Sequence, residues 1–277
     1  MKILQIQSHT NSQLQKTFQA IAQIDIPDDI DFICLPEMFA CPYDTKCFPD
    51  YAEPFEGACF QFMQQLAIRH HAYVIGGSFP EIDHGHIYNT APVFDRSGRL
   101  LARHRKMHLF DIQVQGGQHF KESDILSAGD AVTTFPTEFG TMGICICYDI
   151  RFPELGRLMA LHGARCFFVP AAFNQTTGPA HWELTFRAQA LFNQVFCVAT
   201  APALDPHASY HSWGHSLITD PWGRVVTQAG TDACSQITSI DINDTEQVRQ
   251  QLPLLKHRRT DLYRLEEQHE KNRNQTM

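Results

Sequence analysis

The chain has 277 residues, of which 43% are hydrophobic and 19% charged, and its formal net charge is -8. This composition is typical of a globular protein with a substantial core. The negative charge disfavours nucleic-acid binding, which needs clustered Lys and Arg. No run of about 18 apolar residues predicts a membrane-spanning helix. The N-terminus lacks a signal-peptide pattern, so we expect a cytoplasmic protein without a membrane partner.

Short apolar runs alternate with amphipathic stretches along the chain. Strands are predicted at 3–7, 32–35, 72–77, 88–94, 100–103, 142–147, 166–169, 196–199, 214–219, 225–228 and 236–240. Helices are predicted at 11–24, 59–70, 152–162, 181–193 and 245–251. No linker rich in Gly, Ser or Pro divides the chain. We therefore predict a single α/β domain with mixed strand pairing over residues 1–265, followed by a polar tail over 266–277.

The cysteines and histidines do not form the pattern of a metal site. The nine cysteines include no Cys-x-x-Cys pair, which favours reduced thiols. His207, His211 and His215 are spaced four apart, and a helix would place them on one face. Pro206 and Gly214 disfavour a regular helix there, so we interpret these histidines as loop or core residues.

Cys147 lies where a predicted buried strand meets a predicted helix, whose first turn holds Pro153. A thiol at a helix N-terminus ionises more readily, which favours a nucleophile. On these residues alone, a structural cysteine is the more common alternative. Cys145 lies two positions earlier and deeper in the strand, and we predict that it is inert. Asp149 and Arg151 are expected to pair with each other and brace this elbow.

Two other strand ends carry residues that a thiol nucleophile needs, namely a base and an oxyanion partner. Glu37 directly follows an apolar strand and precedes Met38 and Phe39, so desolvation would raise its pKa into a range that suits a general base. The alternative is a carboxylate at the start of a helix. Lys106 also ends a predicted strand, and the alternative for it is an ordinary surface lysine.

Three motifs occur in a fixed order along the chain. They are Leu35-Pro36-Glu37, Arg105-Lys106-x-His108-Leu109 and Cys147-Tyr148-Asp149-x-Arg151-Phe152-Pro153-Glu154. On the basis of these three motifs, the chain resembles the nitrilase (carbon–nitrogen hydrolase) superfamily, and the resemblance extends from residue 3 to about residue 263. The resemblance implies a four-layer α-β-β-α sandwich that usually forms a homodimer.

The same resemblance implies roles for individual residues. Cys147 would be the nucleophile and Glu37 the general base, while Lys106 and the backbone N–H of Tyr148 would stabilise the oxyanion. A second glutamate of the superfamily falls on Glu122, which would orient Lys106 and help to keep it protonated. Without the resemblance, Glu122 would be interpreted as a surface residue. No metal and no organic cofactor is needed for this chemistry.

Several stretches resemble the omega-amidase branch of the superfamily. They are Gly76-Gly77-Ser78-x-Pro80-Glu81, His108-Leu109-Phe110-Asp111-Ile112, Ala172-Phe173-Asn174-Gln175-Thr176-Thr177-Gly178-Pro179-Ala180-His181-Trp182-Glu183, Asn193-Gln194 and Ala208-Ser209-Tyr210-x-Ser212-Trp213-Gly214-His215-Ser216. This branch hydrolyses the terminal carboxamide of alpha-ketoglutaramate or alpha-ketosuccinamate through a thioester, and releases ammonia and a dicarboxylate. By motif position, Arg151, Phe173 and Thr177 would contact the carboxylate end of that substrate. Tyr43 is a further candidate for the substrate pocket.

Other functions are also compatible with these motifs. The stretch at 178–183 is shared with the branch that hydrolyses deaminated glutathione, so it does not separate the two branches. A deaminated-glutathione amidase and an N-carbamoyl amine amidohydrolase are therefore alternatives. A catalytically silent binding protein is an alternative of another class, and a metal hydrolase built on the histidine loop is a further one. The expected partners are a small-molecule amide and a second copy of the chain.

Overall fold

The computed structural model describes residues 1–10, 12–114 and 119–268. Its strands are β1 Lys2–Gln7, β2 Phe32–Cys34, β3 Tyr73–Ile75, β4 Phe79–Asp83, β5 His86–Phe94, β6 Leu100–Arg105, β7 Asp111–Gln113, β8 His119–Lys121, β9 Thr133–Thr137, β10 Gly140–Ile144, β11 Cys166–Pro170, β12 Phe196–Thr200, β13 Leu217–Thr219, β14 Val225–Gln228 and β15 Cys234–Ser239. Its helices are α1 Leu14–Ala22, α2 Phe48–Tyr51, α3 Ala58–His70, α4 Pro153–Leu161, α5 Gly178–Asn193 and α6 Asp244–Gln251. Two 3₁₀ turns lie at Glu122–Asp124 and Cys147–Arg151.

The strands form two large mixed sheets and a small hairpin of β7 and β8. The seven-stranded sheet has the order β15-β1-β2-β3-β5-β4, and β6 pairs with β5. The six-stranded sheet has the order β14-β13-β12-β11-β10-β9. Strands β1, β2 and β3 are parallel in the first sheet, as are β10, β11 and β12 in the second. The other pairs are antiparallel, as the prediction of mixed pairing required.

The side-chain alternation of β2 explains how the layers stack. Phe32 belongs to the core between the two sheets, where its ring lies 4.9 Å from the ring of Phe168 in β11. Ile33 points the other way, into a core shared with Phe18 of α1 and Met63 of α3. Helices α4 and α5 cover the far side of the six-stranded sheet. The four-layer α-β-β-α sandwich is thereby confirmed.

Two glutamines of β1 lie inside the core between the sheets. Gln5 donates from Nε2 to the backbone oxygen of Ala199 in β12 at 2.7 Å. Gln7 accepts at Oε1 from the backbone N–H of Ser216, which precedes β13, at 2.9 Å. Both side chains are buried, so these hydrogen bonds satisfy polar groups that would otherwise be costly there. They join one sheet to the other by directional contacts.

Some element boundaries differ from the prediction for physical reasons. The strand expected to reach Cys147 ends at Ile144, because the pairing of β10 with β11 stops at Ile144 and Phe168. Strands β4 and β9 are additional to the prediction, and each contains a proline, Pro80 or Pro136. Both strands lie at sheet edges, where the missing N–H of proline is tolerated.

The histidines that were considered as metal ligands lie outside the helices and strands. His207, His211 and His215 lie in the loop between β12 and β13. Within residues 1–10, 12–114 and 119–268, no group of three His, Cys, Asp or Glu residues could hold a metal ion. No helix in the same ranges has the length and apolar character needed to cross a membrane. Of the predicted tail, residues 269–277 lie outside the described residues.

Candidate active site

Three predicted side chains meet at the ends of three strands. Glu37 follows β2 and Lys106 follows β6, both in the seven-stranded sheet. Cys147 follows β10 in the six-stranded sheet. Because the two sheets pack face to face, the three strand ends form one buried cluster.

The turn that carries Glu37 is held by the neighbouring strand connection. Pro36 lies two residues after the end of β2, and its backbone oxygen accepts a hydrogen bond from the N–H of Ser78 at 3.2 Å. The Ser78 hydroxyl oxygen accepts from the N–H of Met38 at 2.9 Å. Gly77 has a φ of 59°, and a Cβ there would lie 2.2 Å from the Pro36 oxygen, so only glycine allows this approach. These contacts on both sides of Glu37 fix its backbone without involving its own side chain.

Glu37, Lys106 and Glu122 form a fully buried ion cluster. Lys106 Nζ lies 2.9 Å from Glu37 Oε1 and 2.9 Å from Glu122 Oε1. Burial opposes the charge of Lys106, but the two carboxylates outweigh it and raise the pKa of the ammonium group. Lys106 is therefore charged throughout the neutral pH range. Lys106 and Glu122 are therefore not surface residues, which was the alternative interpretation of each.

Two further side chains complete the surroundings of Glu37. Tyr43 donates to Glu122 Oε1 at 2.7 Å, and its hydroxyl also lies 3.2 Å from Glu37 Oε1. Asn89 donates from Nδ2 to Glu37 Oε1 at 2.9 Å, and its backbone oxygen accepts from the N–H of Lys106. Sequence reasoning missed Asn89, although a polar residue inside the apolar run of β5 was a usable signal.

The two oxygens of Glu37 differ in their environment. Oε1 lies within hydrogen-bonding distance of Lys106, Asn89 and Tyr43. Oε2 accepts from the backbone N–H of Ala172 at 2.8 Å. A carboxylate oxygen has two lone pairs, so Oε2 retains capacity for one more donor. Burial raises the pKa of Glu37, although Lys106 opposes this, so the carboxylate is a better proton acceptor than an exposed one.

Cys147 is the first residue of a 3₁₀ turn and has a φ of 47°, which is uncommon for a residue other than glycine. Its thiol lies near Glu37, and each of the two groups shifts the pKa of the other. Burial raises the pKa of Cys147 well above its usual value, and the nearby Glu37 adds to this effect. The direction is opposite to the one expected for a thiol at a helix start. This direction favours the neutral thiol over the thiolate at Cys147.

The residues that follow Cys147 point in different directions. Tyr148 is the second residue of the 3₁₀ turn, a position at which the N–H does not take part in the hydrogen bonds of the turn itself. The expected pairing of Asp149 with Arg151 is wrong, because Asp149 binds His104 and His108 instead. Arg151 turns away toward α5.

Arg151 and Phe173 lie together, and Thr177 lies in the turn that precedes α5. The guanidinium of Arg151 lies 4.1 Å from the ring centroid of Phe173, and its Nη1 lies 2.9 Å from Nδ1 of His181. Its Nε is buried and has no hydrogen-bond partner among the described residues. The Thr177 hydroxyl donates to Oδ1 of Asn174 at 3.1 Å. Arg151 is thus a half-buried cation with donor capacity to spare.

The chain matches the carbon-nitrogen hydrolase family over residues 3–250. The chain belongs to the carbon–nitrogen hydrolase family. It is 49% identical to the mouse omega-amidase NIT2 over 236 residues, which cover 85% of this chain and 86% of the mouse protein. It is 47% identical to human omega-amidase NIT2 over 234 residues, covering 84% of this chain and 85% of the human protein.

Solved structures of the same superfamily share the fold of this carbon–nitrogen hydrolase. Nit3 from Saccharomyces cerevisiae, a member of branch 10 of the nitrilase superfamily, has a TM-score of 0.84 and 37% sequence identity. That match covers 94% of this chain and 96% of Nit3. The NitFhit protein of C. elegans also has a TM-score of 0.84, at 30% identity, over 95% of this chain and 66% of that chain. The family and the enzyme class predicted from the three motifs are confirmed.

Proposed function

We propose that this carbon–nitrogen hydrolase is a cysteine-dependent omega-amidase. It hydrolyses the terminal carboxamide of a small 2-oxo dicarboxylate monoamide, such as alpha-ketoglutaramate or alpha-ketosuccinamate, to ammonia and the dicarboxylate. The observation that carries the proposal is the buried ion cluster in which Lys106 Nζ contacts both Glu37 and Glu122, at the strand ends where Cys147 also lies. The identity of nearly half with mammalian omega-amidases supports the choice of branch.

The first half of the reaction forms a thioester. Glu37 takes the thiol proton as Cys147 attacks the amide carbon, and the carbonyl π electrons move onto the oxygen. The Lys106 ammonium and the Tyr148 backbone N–H stabilise that oxyanion, as donors aimed at developing charge do in other acyl transfers. When the oxyanion collapses, the C–N bond breaks, and Glu37 gives its proton to the nitrogen, which leaves as ammonia.

The second half hydrolyses the thioester. Glu37, again ionised, removes a proton from water while the oxygen attacks the thioester carbon, and the same two donors hold the second oxyanion. The C–S bond then breaks, the sulfur recovers its proton from Glu37, and the carboxylic acid leaves. Glu122 does not exchange protons in this scheme. Its contact with Lys106 keeps the ammonium charged and aimed at the oxyanion.

A pH profile tests the role of Glu37. Because burial raises the pKa of Glu37, we expect kcat/KM to fall as the pH is lowered through a value above the usual carboxyl range of about 4.3. The measurement is kcat/KM between about pH 4.5 and pH 8, with circular dichroism to confirm that the fold persists. Glu37→Gln should be inactive across the whole range. A wild-type rate that stays flat down to the lowest pH would contradict the assignment.

Arg151 is proposed to bind the distant carboxylate of the substrate, with Phe173, Thr177 and Tyr43 as further substrate contacts. A guanidinium binds a carboxylate through two parallel hydrogen bonds, and that of Arg151 has no carboxylate partner among the described residues.

Arg151→Gln should therefore raise KM for alpha-ketoglutaramate by roughly ten- to a hundredfold, as expected for the loss of a charge-assisted pair. The rate with a small neutral amide should change much less. Steady-state kinetics on both substrates, with the exposed Arg187→Gln as control, would measure this. If activity fell equally on both substrates, Arg151 would support the active site as a whole and would not recognise the substrate carboxylate.

Ammonia release from a substrate panel tests the proposed function as a whole. The panel contains alpha-ketoglutaramate, deaminated glutathione, an N-carbamoyl amine and glutamine. Turnover fastest with alpha-ketoglutaramate would support the omega-amidase. Preference for deaminated glutathione or the carbamoyl compound would keep the Glu37, Lys106 and Cys147 chemistry but assign another branch. No turnover of any amide would favour the catalytically silent binding protein.

We also propose that the protein forms a homodimer in the cytoplasm. The outer face of α5 exposes Leu184 and Phe192 to 67% and 56%, and such apolar patches commonly mark interfaces. The mass in solution should then be twice the chain mass of 31.5 kDa. All nine cysteines are free thiols, which suits a reducing compartment.

A further inference from the structure

One buried carboxylate outside the reacting groups touches both halves of the candidate active site. Asp149 is fully buried. Its Oδ1 accepts from the backbone N–H of His108 at 2.8 Å, from Nδ1 of His108 at 2.8 Å and from the N–H of Met107 at 3.1 Å. Its Oδ2 accepts from the N–H of Ile146 at 3.0 Å and lies 3.0 Å from Nε2 of His104. No reacting atom is among these contacts.

The partners of Asp149 lie next to Lys106 and Cys147 in the chain, the two groups whose separation matters for the proposed reaction. Met107 and His108 directly follow Lys106, and Ile146 directly precedes Cys147. The first segment leaves the seven-stranded sheet and the second leaves the six-stranded sheet. A single carboxylate thus clamps together two chain segments that no shared β-ladder connects.

We propose that Asp149 is a positioning residue that fixes the Lys106 ammonium and the Cys147 thiol at the separation the reaction needs. The inference rests on the proposed roles of Lys106 and Cys147. Cys147 has a positive φ, and such a conformation persists only when its surroundings hold it. The hydrogen bond from Ile146 to Asp149 acts at the residue directly before it.

The charge of Asp149 is stabilised by its setting. Burial alone would favour the neutral acid, but the hydrogen bonds from His104 and His108 outweigh burial and lower the pKa of Asp149. Both oxygens are therefore acceptors at neutral pH, which is what five donors require. An amide in this place would direct an NH₂ group at a backbone N–H, whichever way it were turned.

A second buried carboxylate provides a matched control. Glu81 is also fully buried, and it accepts from Thr90, Arg103 and Arg105. All of these partners lie on β5 and β6 of the seven-stranded sheet, so Glu81 does not link the two sheets. The partners of Glu81 named here are side chains, so Glu81→Gln reports the cost of removing a buried charge while the backbone hydrogen bonds of the clamp stay in place.

The test compares Asp149→Asn with Glu81→Gln in the full chain. For Asp149→Asn we expect kcat to fall roughly a hundredfold or more, with KM within about threefold, because small displacements of reacting groups have losses of this size. Alkylation of Cys147 by iodoacetamide, followed by mass spectrometry, should slow by at least about tenfold as its contact with Glu37 loosens. Glu81→Gln should lower the melting temperature but keep kcat and the alkylation rate within about threefold. Wild-type kcat and alkylation in folded Asp149→Asn would overturn the proposal, as would equal losses in Glu81→Gln.

A milder variant keeps the test decisive if Asp149→Asn does not fold. His104 is buried, and His104→Leu removes one of the hydrogen-bond donors to Asp149 Oδ2. Because this weakens the clamp without abolishing it, we expect kcat to fall about tenfold at unchanged KM. Wild-type kcat and alkylation in this variant would contradict the proposal. If the wild type hydrolyses no amide, the proposed function fails by itself, and the alkylation rates still decide whether Asp149 positions Cys147.

Discussion

Replacing Cys147 with alanine is expected to reduce amide hydrolysis by about 10⁴-fold or more, which is the scale of losing a nucleophile in other acyl-transfer enzymes. The side chain is buried and small, and its replacement by alanine removes a single sulfur atom, so the variant should fold. Ammonia release from alpha-ketoglutaramate measures the loss. Mass spectrometry of the wild type, quenched during turnover, should show an acyl adduct on the peptide that contains Cys147.

Cys145 is the matched control for this variant because it lies two residues away on the same segment and is also fully buried. Cys145→Ala removes one sulfur from the core and should cost about 1 kcal/mol of stability while keeping kcat within about threefold. If turnover survives in Cys147→Ala and disappears in Cys145→Ala, the nucleophile is Cys145 and the assignment of Cys147 is wrong. Turnover that survives in both variants would exclude thioester chemistry.

Lys106→Met is expected to have two separate effects. Loss of one oxyanion donor should lower kcat by about 10²- to 10³-fold. The variant also leaves Glu37 and Glu122 buried without their shared cation, and breaking a buried pair in this way typically costs about 3–5 kcal/mol. The carboxylate pair would then bind a proton in the folded state that the unfolded chain does not bind. The free energy of unfolding of Lys106→Met should therefore increase as the pH falls from 8 to 6.

A double variant separates the two effects of Lys106. Lys106→Met combined with Glu122→Gln removes one carboxylate along with the cation, so part of the lost stability should return while kcat stays low. Chemical denaturation and ammonia release on the same preparations measure both quantities. Recovery of kcat together with stability would mean that Lys106 serves the fold and not the oxyanion. A Lys106→Met protein with near wild-type kcat would exclude Lys106 as an oxyanion donor.

The meeting of Glu37, Lys106 and Cys147 could be predicted because each follows an apolar run that is recognisable as a strand. Their motifs also occur in an order typical of one superfamily. Local pattern did not reveal the surroundings of Glu37. Asn89 and Tyr43 touch it only because β5 and the loop after β2 pack beside the same strand end, and this proximity is set by tertiary structure.

The pKa of Cys147 and the partners of Asp149 could not be predicted for a related reason. The position of Cys147 at a helix start suggested an ionised thiol, yet full burial beside a carboxylate has the larger and opposite effect. Charge and spacing made Arg151 the natural partner of Asp149. The two histidines that bind it come from β6 and the segment that follows, more than 40 residues earlier in the chain. Sequence distance gives no indication of such a contact.

The glutamines of β1 have a consequence for how the enzyme would lose activity. Apolar side chains between two sheets attract without direction, so they would tolerate a small slide of one sheet over the other. The hydrogen bonds from Gln5 to Ala199 and between Gln7 and Ser216 do not tolerate it. Glu37, the proposed base, and Cys147, the proposed nucleophile, follow strands of opposite sheets, so these two hydrogen bonds hold the two residues in register. A core that loosens without unfolding would keep its secondary structure and lose its chemistry first.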